Sequence, residues 1–342
     1  MLTNLNKIFD RSALVKRMQT IPNPSLQLLE ILFGGTNGKI HRNIKVGLGS
    51  DVLSTKNIPH SSRSGTPYSI SDNELTLKEC VPQPFKLERA MTASEINDLE
   101  NTYRAGGLGS AQQWAVDLAV RFRNTFLKSA QAMTADFIAN KGTVNFYNHK
   151  VGANKALKIG FDYPNKSDWI TYSLIGSVWN SASLIKIYND LDLMAKKLLV
   201  ENGLGGTFTV LCASDVFSQI LGKVQAYQST ATFPVKIENS YIQLGVYRIY
   251  DVIGTYYDYT TSPATSKDLI TSKKVYMFSN EAQRQLLWCR MDVIRGSRTF
   301  VDGTMDIQPY QDVRNDQWLL KGQSKPFPLI NPASVIESTV LS

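Results

Sequence analysis

Glycine-rich segments are the first places where residue type and spacing suggest chemistry. A phosphate-binding loop needs a glycine, four residues and then Gly-Lys-Ser/Thr, so that backbone N–H groups surround the phosphate. The segment FGGTNGKI has Phe33 where the first glycine belongs and Ile40 where the hydroxyl belongs, so we interpret it as a turn. The segments that start at Gly47 and Gly107 lack the third glycine of a dinucleotide-binding loop. We predict no cofactor-binding residues.

Cysteine and histidine are too scattered along the chain to suggest a metal site. A zinc site needs about four close Cys or His ligands. The chain has three of each, far apart in sequence: Cys80, Cys212, Cys289, His41, His60 and His149. The odd number of cysteines implies no disulfide framework and fits a reducing assembly site. We predict no metal-binding residues.

Catalytic side chains are equally hard to find. There is no Gly-x-Ser-x-Gly nucleophile motif. A Ser/His/Asp triad stays open, because its members meet only in space. Asp190 and Asp192 are two residues apart on a predicted helix, so they do not share a face, and we predict that both are solvated. We predict no catalytic residues, and this favours a structural, assembling protein over an enzyme.

The five tryptophans lack the interleaved basic residues that single-strand nucleic-acid binders use. Core packing is therefore our prediction for all of them. They are Trp114, Trp169, Trp179, Trp288 and Trp318.

Composition indicates a protein with a sizeable core and a basic start. The chain has 342 residues, of which 43% are hydrophobic, and a net charge of +8. Residues 1–45 alone hold seven Lys or Arg against two acids. Such a basic start indicates that the chain binds a nucleic acid, an acidic surface or an acidic partner chain. The alternative is a basic segment that is simply solvated. The chain has no run of about 18 apolar residues, so we predict no membrane span.

A long polar arm stands out early in the chain. Residues 61–79 are mostly hydroxyl, amide and charged side chains, too polar for a core. The segments at 42–48 and 74–79 alternate like strands and would form the two legs of this arm. A basic helix is predicted at about 2–18, stopped by the prolines at 21–24.

The segments that follow the arm show a clearer periodicity of apolar residues, which predicts their secondary structure. A helix over 110–140, with Ser110 as N-cap, is indicated by apolar residues every three or four positions. That stripe is Trp114, Leu118, Phe122, Phe126, Ala130, Met133 and Phe137. The other predicted elements are a short helix, turn and strand over 25–46, an edge strand or connector at 81–91, a hairpin at 143–163, a helix at 183–202, a strand at 207–212 followed by a helix capped by Ser214 or Asp215, a β-rich region over 235–310, and short closing strands.

This order of elements resembles that of the major capsid proteins of tailed phages, in particular the lambda E-type branch of the Hong Kong 97 coat fold. The likeness covers nearly the whole chain, as pattern more than identity. The segments that carry it are SLQLLEILFGG (25–35), AQAMTADFIANKGTVNFYNHK (130–150), TFTVLCASDVFSQIL (207–221), KDLITSKKVYMFS (267–279) and WLLKGQSKPFPLINPASVIESTVLS (318–342).

The resemblance implies an α+β fold whose polar arm is an extended loop lying over the neighbouring subunit. The implied division is an N-terminal arm at 1–42, the extended loop at 43–80, a peripheral domain at 81–165 with the spine helix at 110–140, an axial domain at 166–310, and closing strands at 311–342. Only about 40 residues precede the loop, so we expect no cleaved scaffolding segment. Nothing around Lys56 marks it for the covalent cross-link that some relatives form.

The same resemblance implies what the protein does and with what it associates. It would form hexamers and pentamers of an icosahedral or prolate head, assembled in the bacterial cytoplasm. Its partners would be further copies of itself, a portal, a scaffold or decoration protein, and non-specifically bound double-stranded DNA, with no membrane. Two alternatives stay open: a bacterial nanocompartment shell of the same fold, and a basic nucleic-acid-binding protein. The basic N-terminal arm would contact either neighbouring subunits or the packaged DNA.

Overall fold

The computed structural model describes residues 24, 26–51, 75–105, 108–148, 157–227, 234–238, 240–259, 261, 263–295, 298–312 and 317–342. The predicted helix at 2–18 and the centre of the polar arm lie outside these residues. None of the helices in the described part of the chain has the length and apolar character needed to cross a bilayer.

The described residues combine few helices with many strands. The helices are α1 (Gln27–Phe33), α2 (Ala93–Arg104), α3 (Leu108–Ala139), α4 (Leu184–Asn202) and α5 (Ser214–Tyr227). The strands are β1 (Lys39–His41), β2 (Val46–Asp51), β3 (Leu75–Cys80), β4 (Phe85–Met91), β5 (Thr143–Asn148), β6 (Leu157–Asp162), β7 (Ile170–Tyr172), β8 (Phe208–Cys212), β9 (Val235–Ile237), β10 (Tyr241–Leu244), β11 (Tyr247–Asp251), β12 (Thr255–Asp258), β13 (Thr265–Asp268), β14 (Lys274–Ser279), β15 (Gln285–Cys289), β16 (Met291–Arg295), β17 (Arg298–Val301), β18 (Asp306–Asp312), β19 (Gln317–Ser324), β20 (Pro326–Leu329) and β21 (Val335–Thr339).

These elements form two compact units, each built from three stretches of chain. The first unit comprises Met1–Val46, Val81–Gln131 and Gln285–Leu329. The second comprises Gly47–Cys80, Ala132–Arg284 and Ile330–Ser342.

The long helix α3 is close to its predicted bounds. It begins at Leu108, so Ser110 lies inside its first turn and is not the N-cap that we predicted. It ends before Gly142, as predicted, because Lys141 and Gly142 both take positive φ, 51° and 87°. The Gly142 N–H donates to the carbonyl of Phe137 at 3.1 Å, which satisfies a carbonyl of the last turn.

The first unit holds the N-terminal part of α3 against the sheet β18–β19–β4. The strand β4 is an edge strand, as the prolines before it predicted, since it pairs only with β19. Gly322 of β19 allows a close approach of the helix, because a Cβ there would lie 3.3 Å from the rings of both Phe122 and Phe126. The predicted apolar stripe of α3 is confirmed as a buried face, with only Trp114 partly exposed.

The helix α2 was absent from our sequence prediction, although its start carries a capping box. The Glu95 N–H donates to Oγ1 of Thr92 at 3.3 Å, and the Thr92 N–H donates to Oε2 of Glu95 at 3.0 Å. Arg89 also reaches the Glu95 carboxylate at 2.6 Å. The backbone hydrogen bond from Thr92, helped by the charge of Arg89, lowers the pKa of Glu95.

Replacing the cap residue should weaken the first unit measurably. Thr92→Ala removes the acceptor for the Glu95 N–H, and N-cap losses of this type cost about 1 kcal/mol. Urea unfolding at neutral pH would measure the change in the free energy of unfolding, with Asn97→Ala, an exposed change within α2, as control. Because the pKa of Glu95 is lowered on folding, its stabilisation is present above the unfolded pKa and fades as pH falls through the folded value. Equal stability of Thr92→Ala and the wild type would contradict the capping role.

The second unit is built on a seven-stranded mixed sheet in the order β7–β21–β14–β8–β11–β10–β9. The central strand β8 is buried along its whole length, as its unbroken apolar run predicted. Val210, Val275 and Met277 face α4 and α5 in one large apolar cluster. Tyr276, one residue along from its neighbours, points to the opposite face and meets Trp169 with 6.5 Å between ring centroids.

Helix α4 begins at its predicted cap, whereas α5 begins at Ser214, so the predicted caps Ser214 and Asp215 lie inside its first turn. Ser183 caps α4, where its hydroxyl accepts the Lys186 N–H at 3.3 Å, and Gly203 ends the helix with a φ of 69°. At the start of α5, the Asp215 carboxylate accepts the N–H of Val216 at 2.7 Å and, from across the unit, the N–H of Lys273 at 2.8 Å.

Candidate assembly surfaces

Reactive side chains are not gathered anywhere in the described part of the chain. No group of three or more His, Cys, Asp or Glu within it could hold a metal ion. The three cysteines form no disulfide and are buried, and burial raises the pKa of Cys212 well above its usual value. A buried, protonated thiol is a poor nucleophile. The features that can act on other molecules are therefore surfaces.

Asp190 was predicted to be solvated, and this prediction was wrong. Its side chain is fully buried, and it accepts a hydrogen bond from the Trp179 indole N–H at 3.0 Å and an ion-pair contact from Lys186. Asp192, on the other side of the helix, is 39% exposed and pairs with Lys196 at 2.7 Å. The two carboxylates do lie on different faces of α4, but the face of Asp190 is covered by the loop that carries Trp179.

Removing the Asp190 carboxylate should destabilise the second unit. Asp190→Ala leaves the buried Trp179 N–H without its acceptor, and an orphaned buried donor costs about 1–3 kcal/mol. Thermal and chemical unfolding would measure this loss. Glu201→Ala is the matched control on the same helix, because its pair with Lys197, at 3.7 Å, is exposed and contributes little. A loss no larger than that of the control would contradict the structural role of Asp190.

The first surface is the base of the extended arm, where β2 pairs with β3. The second leg fits its predicted place, whereas the first begins only at Val46, because residues 42–45 form a bend. Lys78 fixes this ribbon to the hairpin β5–β6: its ammonium donates to the carbonyl of Asp162 at 3.4 Å and lies 5.2 Å from the centre of the Phe161 ring. The arm thus has a defined root in the second unit.

The second surface is the antiparallel ribbon β12–β13, which we call the tyrosine ribbon. Along β12, Tyr256 and Asp258 point inward and are buried, while Tyr257 points outward. Tyr257 and Tyr259 are 59% and 57% exposed, and their ring centroids are 6.5 Å apart. Ile253, just before the ribbon, is 67% exposed. We predicted only a β-rich region here, because TYYDY has no strict apolar/polar alternation, and Asp258 between two tyrosines would favour the opposite faces from those observed.

The inward side of the tyrosine ribbon carries buried polar groups. Lys267 of β13 pairs with the buried Asp258 carboxylate of β12 at 2.5 Å, which joins the two strands of the ribbon. Burial, and then the nearby carboxylates of Asp136 and Asp258, raise the pKa of Tyr256. Asp136, at the end of α3, is itself buried and accepts a hydrogen bond from the Asn145 amide.

The third surface is the outer face of α4. Ile185, Leu193 and Val200 are spaced by eight and seven residues, which places them on one side of a helix with 3.6 residues per turn. They are 40%, 39% and 74% exposed. Their opposite neighbours Ile187 and Leu191 are fully buried against the sheet. The outer side of this helix is therefore mixed, with exposed apolar residues beside the exposed Asn189 and Lys196.

Helix α4 covers the side of the seven-stranded sheet that carries Val275 and Met277. The second unit thus shows an exposed aromatic patch on the tyrosine ribbon and exposed aliphatic residues on α4.

The fourth surface is a basic segment in the first unit. Lys39, Arg42 and Lys45 are exposed, and so are Ile40 and Ile44 between them. No Asp or Glu occurs between residues 31 and 50. This is the described part of the basic start of the chain.

Comparison with known proteins extends over the whole chain. A model of the family described as phage major capsid protein E matches residues 10–340. None of the curated proteins matches.

Solved structures are similar in fold at low sequence identity. One is a protein assigned as the capsid protein of an E. coli CFT073 prophage, with 11% identity and a TM-score of 0.57 over 98% of this chain and 99% of that chain. Another is a phage-related protein from Bordetella bronchiseptica RB50, with 11% identity and a TM-score of 0.47 over 96% and 95%. A third is the capsid of cyanophage P-SCSP1u, with 9% identity and a TM-score of 0.43 over 88% and 85%.

Proposed function

This chain belongs to the phage major capsid protein E family, and from this we propose that its copies form the hexamers and pentamers of a phage head around double-stranded DNA. It is a structural protein of the virion capsid with an α+β, Hong Kong 97-type fold, as its sequence resemblance indicated. The observation that carries the proposal is the extent of the family match, which runs from residue 10 to residue 340 and includes both units.

We assign the parts of the subunit as follows. The second unit from residue 166 onward, with its seven-stranded sheet and helices α4 and α5, is the axial domain. The first unit, with most of α3, is the peripheral domain. We also assign residues 285–310, which we expected in the axial domain, to the peripheral domain. The pairing of β15 with β1 and β20, and of β18 with β19, supports this assignment. The paired legs β2 and β3 carry the extended loop towards a neighbouring subunit.

The partners follow from the same role. A head of this kind needs a portal for DNA entry and takes a scaffold or decoration protein, and its assembly takes place in the bacterial cytoplasm. The basic segment 39–45 offers cations to an acidic partner, and the isoleucines between them favour a protein surface over DNA phosphates. Packaged DNA would meet the shell through non-specific phosphate contacts.

Electron microscopy of the purified protein tests the proposal directly. We expect closed shells, or five- and six-membered rings where shells do not close. Particles from infected cells should contain double-stranded DNA, whereas a protein-filled shell would indicate a nanocompartment. A protein that stays monomeric at every concentration and salt condition would overturn the proposal.

A further inference from the structure

Two Asn-Gly pairs occur in the chain, Asn37–Gly38 and Asn202–Gly203. Asparagine is a thermolabile residue, and a glycine that follows it leaves its own backbone nitrogen open to attack on the asparagine side chain, because glycine has no Cβ. The fold places the two pairs in opposite surroundings. We propose that Asn37 is a site of spontaneous deamidation, whereas the fold protects Asn202.

The groups that must meet at the first pair are both available. Asn37 and Gly38 lie in the connection between α1 and β1, outside any helix or strand. The Asn37 side chain is exposed. Within the described part of the chain, neither its amide nor the Gly38 N–H makes a hydrogen bond.

At the second pair, hydrogen bonds fix every group that would react. Asn202 is the last residue of α4, and its side-chain amide donates to the carbonyls of Asp168 at 3.0 Å and of Ala333 at 2.7 Å. The Gly203 N–H donates to the carbonyl of Leu199 at 2.9 Å. All these bonds would have to open before the reaction, so the native fold should suppress it.

Close packing requires the glycine of the exposed pair. A Cβ at Gly38 would lie 2.1 Å from the carbonyl oxygen of Leu286 and 2.9 Å from Nε1 of Trp288, so a larger residue does not fit there. The exposed side chain of Asn37 is under no such constraint. Asn37 is therefore the residue to change in a test.

The reaction is intramolecular and needs only water. The Gly38 nitrogen attacks Cγ of Asn37, the Cγ–Nδ2 bond breaks, and ammonia leaves with the proton of the Gly38 N–H. Water then opens the resulting succinimide ring at one of its carbonyls. Opening at Cγ gives an aspartate in a normal main chain, whereas opening at the main-chain carbonyl leaves Gly38 joined through Cγ, as an isoaspartate. No electrons are gained or lost.

The products change both the charge and the backbone beside β1. No Asp or Glu occurs between residues 31 and 50, so the new carboxylate would be the first in this basic stretch. An isoaspartate also lengthens the main chain by a carbon atom directly before Gly38, which packs closely on Leu286. We expect the pairing of Lys39–His41 with β15 to loosen as this product forms.

Peptide mass spectrometry of the purified full-length chain, after incubation at mildly alkaline pH, tests the proposal. In the native protein we expect deamidation to be at least about tenfold faster at Asn37 than at Asn202. In denaturant the two pairs should react at similar rates, because the fold no longer protects Asn202. Asn37→Gln is the control variant and should stay unmodified at that position, since a glutamine side chain must close a larger ring.

Two results would overturn the proposal. One is an Asn37 that reacts in denaturant but stays intact in the native protein, because the packing of Gly38 would then keep its nitrogen away from the side chain. The other is an Asn202 that reacts as fast as Asn37 in the native protein. Neither result bears on the capsid function, on which this inference does not depend.

Hydrogen exchange measures the structural consequence. After the same incubation, the amides of β1 should exchange faster in the wild type than in Asn37→Gln. Equal exchange in the two proteins, at high isoaspartate content in the wild type, would contradict the loosening of β1.

Discussion

Deletion of residues 54–71 should yield a subunit that folds but no longer forms closed shells. The deleted segment lies between the two paired legs β2 and β3, which the deletion leaves in place. A lone two-stranded ribbon is marginally stable in water and becomes stable when it buries a face on another chain. On the proposed role of the arm, we therefore expect the deletion to remove contacts to a neighbour while the described residues of both units keep their fold.

The experiment separates folding from assembly. In the deletion variant an inserted Asn-Gly pair takes the place of residues 54–71, because Asn-Gly favours a tight turn between antiparallel strands. Circular dichroism and thermal unfolding should match the wild type, because Lys78 still fixes the root of the arm to the hairpin β5–β6. Electron microscopy should show no closed shells. A second control replaces residues 54–71 with glycine and serine at the same length, and we expect it to fail as well. Normal shells from the deletion would contradict the intermolecular role of the arm.

Elements with a strong apolar period were predictable from the sequence. The stripe of α3 and the bounds of α4 follow from apolar spacing and from end signals such as Ser183 and Gly203. Both features are local, so the sequence carries them directly. The strand β8 was equally clear, because a short unbroken apolar run indicates a strand buried on both faces.

Elements that depend on partners elsewhere were harder to predict. The helix α2 is mostly polar, but Ile96, Leu99 and Tyr103 recur at helical spacing. That stripe and the Thr92 and Glu95 capping box at its start were usable signals that we missed. The burial of Asp190 depends on Trp179, which comes from a loop before the helix. A carboxylate on a helix is usually solvated, and only tertiary structure shows that an indole and Lys186 cover this one.

The candidate surfaces were the least predictable part. From residue type alone, Leu193 and Val200 on the outer side of α4 would be predicted to be buried in the core, because apolar residues on a helix usually face the interior. Their exposure is known only once Ile187 and Leu191 are placed against the sheet. The same holds for Tyr257, whose outward direction depends on the pairing of β12 with β13.

Phe122→Ala should destabilise the first unit by about 3–5 kcal/mol, through lost burial and the cavity left behind. Phe122 is 8% exposed and packs beside Phe126, with 6.4 Å between ring centroids. Both rings lie against Gly322 of β19, where there is no side chain to move into the gap. The backbone of a paired central strand also moves little, so the cavity should persist.

The measurement is chemical unfolding of the assembly-defective arm deletion, so that contacts between copies do not mask the loss of subunit stability. Thr125→Ala is the matched control on the same helix: its side chain is exposed and bonds only to the carbonyl of Arg121, so we expect a change within about 0.5 kcal/mol. If Phe122→Ala cost less than about 1 kcal/mol, the α3 face would not be packed on the sheet. A change at Gly322 tests the same packing. Gly322→Ala alone should be destabilising, because its Cβ would press on both rings. In the Phe122→Ala background, Gly322→Ala should refill the gap and recover part of the lost free energy of unfolding.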